Sequence, residues 1–157
     1  MPDTLIDRVR SLLDTDGGAG RFAAVLDEVL RHFGGVVGTL HGLDAAGATL
    51  LLVAERGLPP GLKSKVERIP VGKGMAGLAA ERRAPVQVCN LQTDESGVAK
   101  PSARETQVAG SITVPLLDGA TLRGTLGVAQ STPHEFTPGE TELLLACGAL
   151  IARALDG

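Results

Sequence analysis

Three phenylalanines are the whole aromatic complement of this 157-residue chain, which has no Trp and no Tyr. Proteins that hold single-stranded nucleic acid stack bases on aromatic rings, and that platform is missing. Positive charge is not in excess either. Fifteen Lys and Arg stand against 18 Asp and Glu, a net charge of −3, whereas a phosphate-binding surface concentrates cations. No apolar stretch approaches the ~18 residues of a membrane span, and Met1-Pro2-Asp3-Thr4 opens without the basic run and apolar segment of a secretory leader. Nucleic acid and membrane are therefore excluded as expected partners, and the cytoplasm is the expected compartment. Cysteine is scarce, with Cys89 and Cys147 alone. Cys147 falls in an apolar helical run, where a free thiol behaves as a small hydrophobe, and a reducing compartment argues against a disulfide. His32, His41 and His134 are scattered, with no H-x-x-x-H or C-x-x-C spacing to gather metal ligands. His134, just ahead of a helix start, is expected at the surface, and His41 is expected as a satisfied sheet histidine. No G-x-S-x-G elbow presents a nucleophilic serine. Asp94 and Glu95 are most simply solvated loop charges. Neither a metal nor a cofactor is expected.

What is present is enough for one core. The length is that of a single ordinary domain, and Leu, Val, Ile and Ala supply its interior. Residues 1–34 carry two helical patterns, Leu5, Val9 and Leu12 and then Phe22, Val25, Leu26, Val29, Leu30 and Phe33, parted by Asp16-Gly17-Gly18. From residue 36 to 130 the pattern shortens to sheet, one short helix and a lid. Residues 36–43 and 49–54 read as a hairpin around Asp44-Ala45-Ala46-Gly47. Residues 66–71 read as a strand whose Pro70 suits a sheet edge. A helix over 75–83 is stopped by Pro85, and a strand over 86–89 follows. Residues 91–107 are long, polar and aperiodic, which predicts a surface lid. Residues 111–117 and 121–130 form the strongest hairpin, around Asp118-Gly119, a pair favoured where both turn residues need positive φ. The last helix, 137–156, starts sharply: the Thr137 hydroxyl can cap it, Glu140 can reach back, and Pro138 takes the first helical position. Its apolar surface makes two stripes, one through Leu143, Cys147, Leu150 and Ala154 and one through Leu144, Gly148, Ile151 and Leu155, so a second apolar contact is implied. The element order predicts an α+β, two-layer domain, an antiparallel sheet with helices packed on one face.

Gly72-Lys73-Gly74-Met75-Ala76-Gly77 satisfies G-x-G-x-x-G, which in a dinucleotide fold seats a pyrophosphate on a helix N-terminus. The context argues otherwise: Pro70 lies in the preceding strand, Pro85 ends the helix after about two turns, Asn90 stands at the ribose-binding acid position, and the later elements are hairpins. Glycines that let a strand turn sharply into a helix explain the run. A narrower function survives, in which the N–H groups of Gly74 and Met75, with Lys73 nearby, hold an anionic ligand group.

Three stretches together resemble the GAF family: residues 68–77 (RIPVGKGMAG), residues 111–116 (SITVPL) and residues 136–140 (FTPGE). The resemblance implies a central antiparallel sheet of about six strands, N- and C-terminal helices on one face, a ligand cavity between the other face and the lid, and terminal helices that pair in a homodimer. For this chain the seam would run along Leu144, Ile151 and Leu155, beside the first helix. The family also contains enzymes, the free methionine-R-sulfoxide reductases, to which residues 68–77 are similar. Aligned on them, the thiol positions hold Val66, Ala76 and Arg104, and the substrate-holding carboxylate positions hold Ser111, Gly127 and Ala129. No reacting thiolate is then placed, and Cys89 lies on a different element. The Asn-Lys pair of the cyclic-nucleotide branch is missing around Phe136, and no chromophore-linking Cys lies in the lid. Period-two geometry puts Ser111 and Thr113 on one face opposite Ile112 and Val114, and Gly127 and Ala129 opposite Leu126 and Val128. By the family alignment the small set faces the cavity; close helix packing against small residues is the alternative. The expected ligand-binding residues are Gly74, Met75, Thr106, Gln107, Ser111, Thr113, Gly127 and Ala129. The expected function is a non-enzymatic small-molecule sensor that orders its lid and signals through a partner protein, with a ligand-free interaction module second and an enzyme third.

Overall fold

The computed structural model describes residues 4–15, 18, 20–93 and 108–156. Helices α1 (Leu5–Leu13) and α2 (Gly20–Phe33) lead into a hairpin, β1 (Val37–Leu43) and β2 (Thr49–Arg56). A one-turn helix α3 (Lys63–Val66), strand β3 (Arg68–Pro70), helix α4 (Gly74–Arg82) and strand β4 (Val86–Val88) follow. A second hairpin, β5 (Ser111–Asp118) and β6 (Thr121–Ala129), and helix α5 (Pro138–Asp156) complete the chain. The strands form one antiparallel sheet in the order β3-β2-β1-β6-β5-β4, so β1 and β6, far apart in sequence, pair at its centre. This is the α+β architecture expected, with Pro70 on an edge strand, where its missing N–H interrupts no ladder. Among the described residues no helix is long and apolar enough to cross a membrane.

Alternation along the central strands divides the sheet. Leu40 of β1, Ile112, Val114 and Leu116 of β5, and Leu126 and Val128 of β6 all join the main core with α1, α2 and α5. The opposite face receives α4, which packs on β5 and β6. Helix α5 comes close because Gly148 lies over Leu116; a Cβ there would stand 3.1 Å from its Cδ2.

The structure changes three local expectations. The strand expected over 66–71 is shorter, because Val66 closes α3 instead. Its carbonyl accepts from His41 Nε2 at 2.8 Å, and the Glu67 carbonyl accepts from Leu52 N–H at 3.0 Å. In the β5–β6 hairpin the turn residues are Gly119 and Ala120, between paired Asp118 and Thr121, and only Gly119 (φ 60°) has positive φ. Glycine at the first central position alone is the type II′ pattern, not the doubly left-handed one expected from Asp-Gly. Third, the second stripe of α5 is no exposed seam: Leu144 and Ile151 are both 0% exposed, in one core with Leu5, Val9 and Leu13. Helix α1 packs on α5 within the same chain, so the second apolar contact is intramolecular, and these residues give no support to a dimer. Val36, at 48%, is the one exposed large hydrophobic among the described residues.

The start of α5 follows the expected capping box. The Glu140 N–H donates to Thr137 Oγ1 at 3.1 Å, and the Thr137 N–H donates to Glu140 Oε1 at 2.9 Å. Thr137→Ala removes one arm of this reciprocal pair and should cost about 1 kcal/mol. In urea unfolding, the midpoint should fall with the slope unchanged; an unaltered midpoint would show that the box contributes nothing.

Candidate functional site

A cavity of about 160 Å³ opens on the sheet face away from the long helices. Its floor is two cross-strand rows, with His41 of β1 beside them. Val37, Ala129 and Ser111 pair across β1, β6 and β5, and Thr39, Gly127 and Thr113 form the next row. Gly127 keeps the second row low, since a side chain there would begin 2.9 Å from Thr39 Oγ1 and 3.4 Å from Thr113 Oγ1. One wall comes from the segment Leu58, Leu62, Val66 and Ile69, a second from the start of α4 with Gly74, Met75 and Ala76, and Leu91 and Val108 close a third side. Lys65 and Lys73 line it, and among the described residues no Asp or Glu does.

The glycine run explains how α4 reaches this position. Gly72 and Gly74 have φ of 94° and 67°, which side-chain-bearing residues rarely adopt. Gly77 lies so close to β3 that a Cβ would stand 2.5 Å from the Pro70 carbonyl oxygen. The Gly72 N–H donates to the Gly77 carbonyl at 2.8 Å. All three glycines therefore serve the sharp strand-to-helix turn. The first bond of the helical ladder runs from Gly77 N–H to the Lys73 carbonyl, and Lys73 makes no side-chain cap, so the N–H groups of Gly74, Met75 and Ala76 stay unused.

Six of the residues expected from the sequence, Gly74, Met75, Ser111, Thr113, Gly127 and Ala129, come together as lining. Thr106 and Gln107, like Arg104 and most of the expected lid, lie outside the described residues. The sequence reasoning missed the cavity's remaining polar members, Thr39, His41 and Lys65. Thr39 and His41 reach the cavity because β1 pairs with β6, a pairing of distant segments that local alternation does not give, and in that register the odd-numbered residues of β1 share the face of Gly127 and Ala129.

His41 is 1% exposed. Its Nε2 must donate to Val66, since a carbonyl only accepts, which leaves Nδ1 as the acceptor of a neutral ring. Among the described residues no partner meets Nδ1, or the buried hydroxyl of its cross-strand neighbour Thr125. Burial lowers the His41 pKa from its ordinary 6.5, against the smaller raising effect of the Val66 carbonyl. His134, expected at the surface, is instead half-buried. Its N–H donates to the Cys89 carbonyl at 3.0 Å, its ring meets Phe136 edge-on, and Nε2 lies 3.0 Å from Glu140 Oε1. Neither cysteine lines the cavity. Cys89 is exposed beyond β4, and Cys147 is buried on the opposite side of the sheet, where desolvation pushes its thiol up to about 11. Among the described residues no three His, Cys, Asp or Glu side chains gather as a metal site.

A family model, the GAF domain, matches residues 21–156, and the chain belongs to that family. No curated protein matches it. Among solved structures, the GAF domain of an Acinetobacter phosphoenolpyruvate-protein phosphotransferase is similar, at 19% identity and a TM-score of 0.81, over 97% of this chain and 90% of that one. The free methionine-R-sulfoxide reductase of Neisseria meningitidis, solved with its substrate, is similar at 18% identity and a TM-score of 0.77, over 97% and 86%. A protein described as a GAF sensor from Burkholderia vietnamiensis is similar at 20% identity and a TM-score of 0.77, over 98% and 94%. These relatives overturn the expected function. A non-enzymatic sensor signalling through a partner was expected first, and an interaction module second, because no thiol or carboxylate stands at the positions aligned with the reductases' reacting groups. Yet the fold is shared as fully with substrate-bound reductases as with sensor and phosphotransferase domains.

The lowered His41 pKa has a definite sign. The folded ring resists protonation, so as pH falls below about 6.5 the unfolded chain takes the proton first and stability declines toward the lowered folded value. Above that window the contribution is complete. His41→Gln keeps an N–H for Val66 and does not titrate, so its melting temperature should depend less on pH than the parent's between about pH 7.5 and 5. Parallel profiles for the two proteins would sink the assignment.

Proposed function

We propose that this GAF domain binds a compact small molecule in the cavity over β1, β6 and β5, and that it does not reduce sulfoxides through its thiols. The observation that carries the first half is the cavity itself. At about 160 Å³ it is close to the ~150 Å³ of an engineered cavity that admits benzene, so it suits a compact metabolite. Its lining is mostly apolar, with a few convergent polar groups, the composition of a ligand site. The second half rests on what occupies the positions aligned with the reductases' reacting groups. Val66 and Ala76 stand at thiol positions and Ser111, Gly127 and Ala129 at carboxylate positions, and all five line this one cavity. The place is kept and the nucleophiles are absent from it.

Native mass spectrometry of freshly purified protein, with amide NMR against a mixture of small acids and alcohols, tests the binding. A bound mass, or shifts at Gly74, Met75 and Thr113, is expected in the parent and should be lost in Ala129→Leu, with its melt still cooperative. Absence of both in the parent would overturn the proposal, and binding retained by Ala129→Leu would move the site elsewhere. Free methionine-R-sulfoxide with dithiothreitol should stay unreduced. Turnover that disappears in Cys89→Ser would count decisively for an enzyme.

A further inference from the structure

The cavity gathers hydrogen-bond donors, and no carboxylate lines it among the described residues. The side chains of Ser111 and Thr113 line it at 9% and 6% exposure, and neither hydroxyl bonds another described residue. Thr113 Oγ1 overhangs the vacancy at Gly127, so this hydroxyl is presented at the floor. The uncapped start of α4 adds the unused N–H groups of Gly74, Met75 and Ala76 from a second element. Lys73, at the cap position, is exposed, lines the opening and makes no ion pair with a described residue. An apolar wall of Leu58, Leu62, Val66 and Ile69 faces these donors.

We propose that the ligand is a compact monocarboxylate, its carboxylate held by the N–H groups opening α4 and by the Ser111 and Thr113 hydroxyls, with its apolar body against the Leu62–Ile69 side. This deepens the small-molecule proposal above and rests on it. Backbone N–H groups at a helix start favour an anion through both their free hydrogens and the helix dipole. A carboxylate fits better than a phosphate because no arginine lines the cavity among the described residues to supply a forked contact. A free amino acid fits poorly, since its ammonium would enter beside Lys73, with no Asp or Glu among the described lining residues.

Three near-isosteric probes separate these chemistries: 4-methylpentanoate, its uncharged amide, and L-leucine, which adds only the ammonium. Titrated into the ¹⁵N-labelled protein, 4-methylpentanoate should shift the Gly74 and Met75 amides and bind about tenfold tighter than either competitor, the effect of one charge-assisted contact. Thr113→Val and Lys73→Gln should each weaken the carboxylate several-fold and leave the amide unchanged. Thr113→Val should also melt no lower than the parent, because it removes a hydroxyl that has no protein partner; a hydroxyl serving the fold would lower the melt instead. Equal binding of carboxylate and amide, tighter binding of leucine, or carboxylate affinity unchanged in both variants overturns the monocarboxylate while the cavity proposal stands. If no probe shifts any cavity amide at millimolar concentration, the small-molecule proposal falls and this inference falls with it.

Discussion

Everything in this molecule depends on the two-residue alternation of β5 and β6. On one face Ile112, Val114, Leu126 and Val128 are buried to 1% exposure or less under α2 and α5. Burying each such side chain contributes about 1.5–3 kcal/mol, which fixes the register, because a one-residue slip would turn the whole apolar set outward. The register then determines what the other face must carry. Ser111, Thr113, Gly127 and Ala129 are forced to the side where no long helix lies, and their small volumes leave the hollow. The hydrophobic core and the cavity are two consequences of one pairing.

The second constraint is the turn from β3 into α4. A helix that starts over the sheet needs the chain to reverse within a few residues, and the left-handed Gly72 and Gly74 permit this. The close approach of Gly77 to the Pro70 carbonyl then holds the helix against the strand. Because the turn is made by glycines and a lysine, no Ser, Thr, Asp or Asn occupies the cap position. The same geometry that places the helix leaves its first N–H groups without a partner among the described residues, on residues that line the cavity.

These two features were legible in the sequence to different degrees. Alternation in β5 and β6, the Pro70 edge and the Thr137 capping box are local patterns, and each appears where the pattern put it. Six of eight expected site residues meet for the same reason, because period two assigns a face without knowledge of the neighbours. What was missed is nonlocal. Whether His41 and Thr39 face the cavity depends on which strand lies beside β1, and that strand, β6, comes some 80 residues later in the chain. The α5 stripe failed in the same way. Its apolar width was real, but only the tertiary fold shows that α1 covers it, so a face ascribed to a second copy belongs to the chain's own interior.

Small residues under a helix also arise from close packing, and the two causes leave different marks. Packing brings side chains into contact and leaves no polar group stranded, as at Gly148, whose closeness to Leu116 seats α5 on β5. Beneath α4 the marks are reversed. A hollow remains, two floor hydroxyls bond no described residue, and the His41 Nδ1 and Thr125 Oγ1 atoms are buried with no partner among the described residues. Each of those two buried atoms costs on the order of 1–3 kcal/mol, which an apolar residue of nearly the same volume would avoid. A sheet under pressure only to pack would therefore carry apolar residues here, as its other face does. Polar atoms held in a hollow at a cost to the fold are what a site for a polar-headed ligand requires.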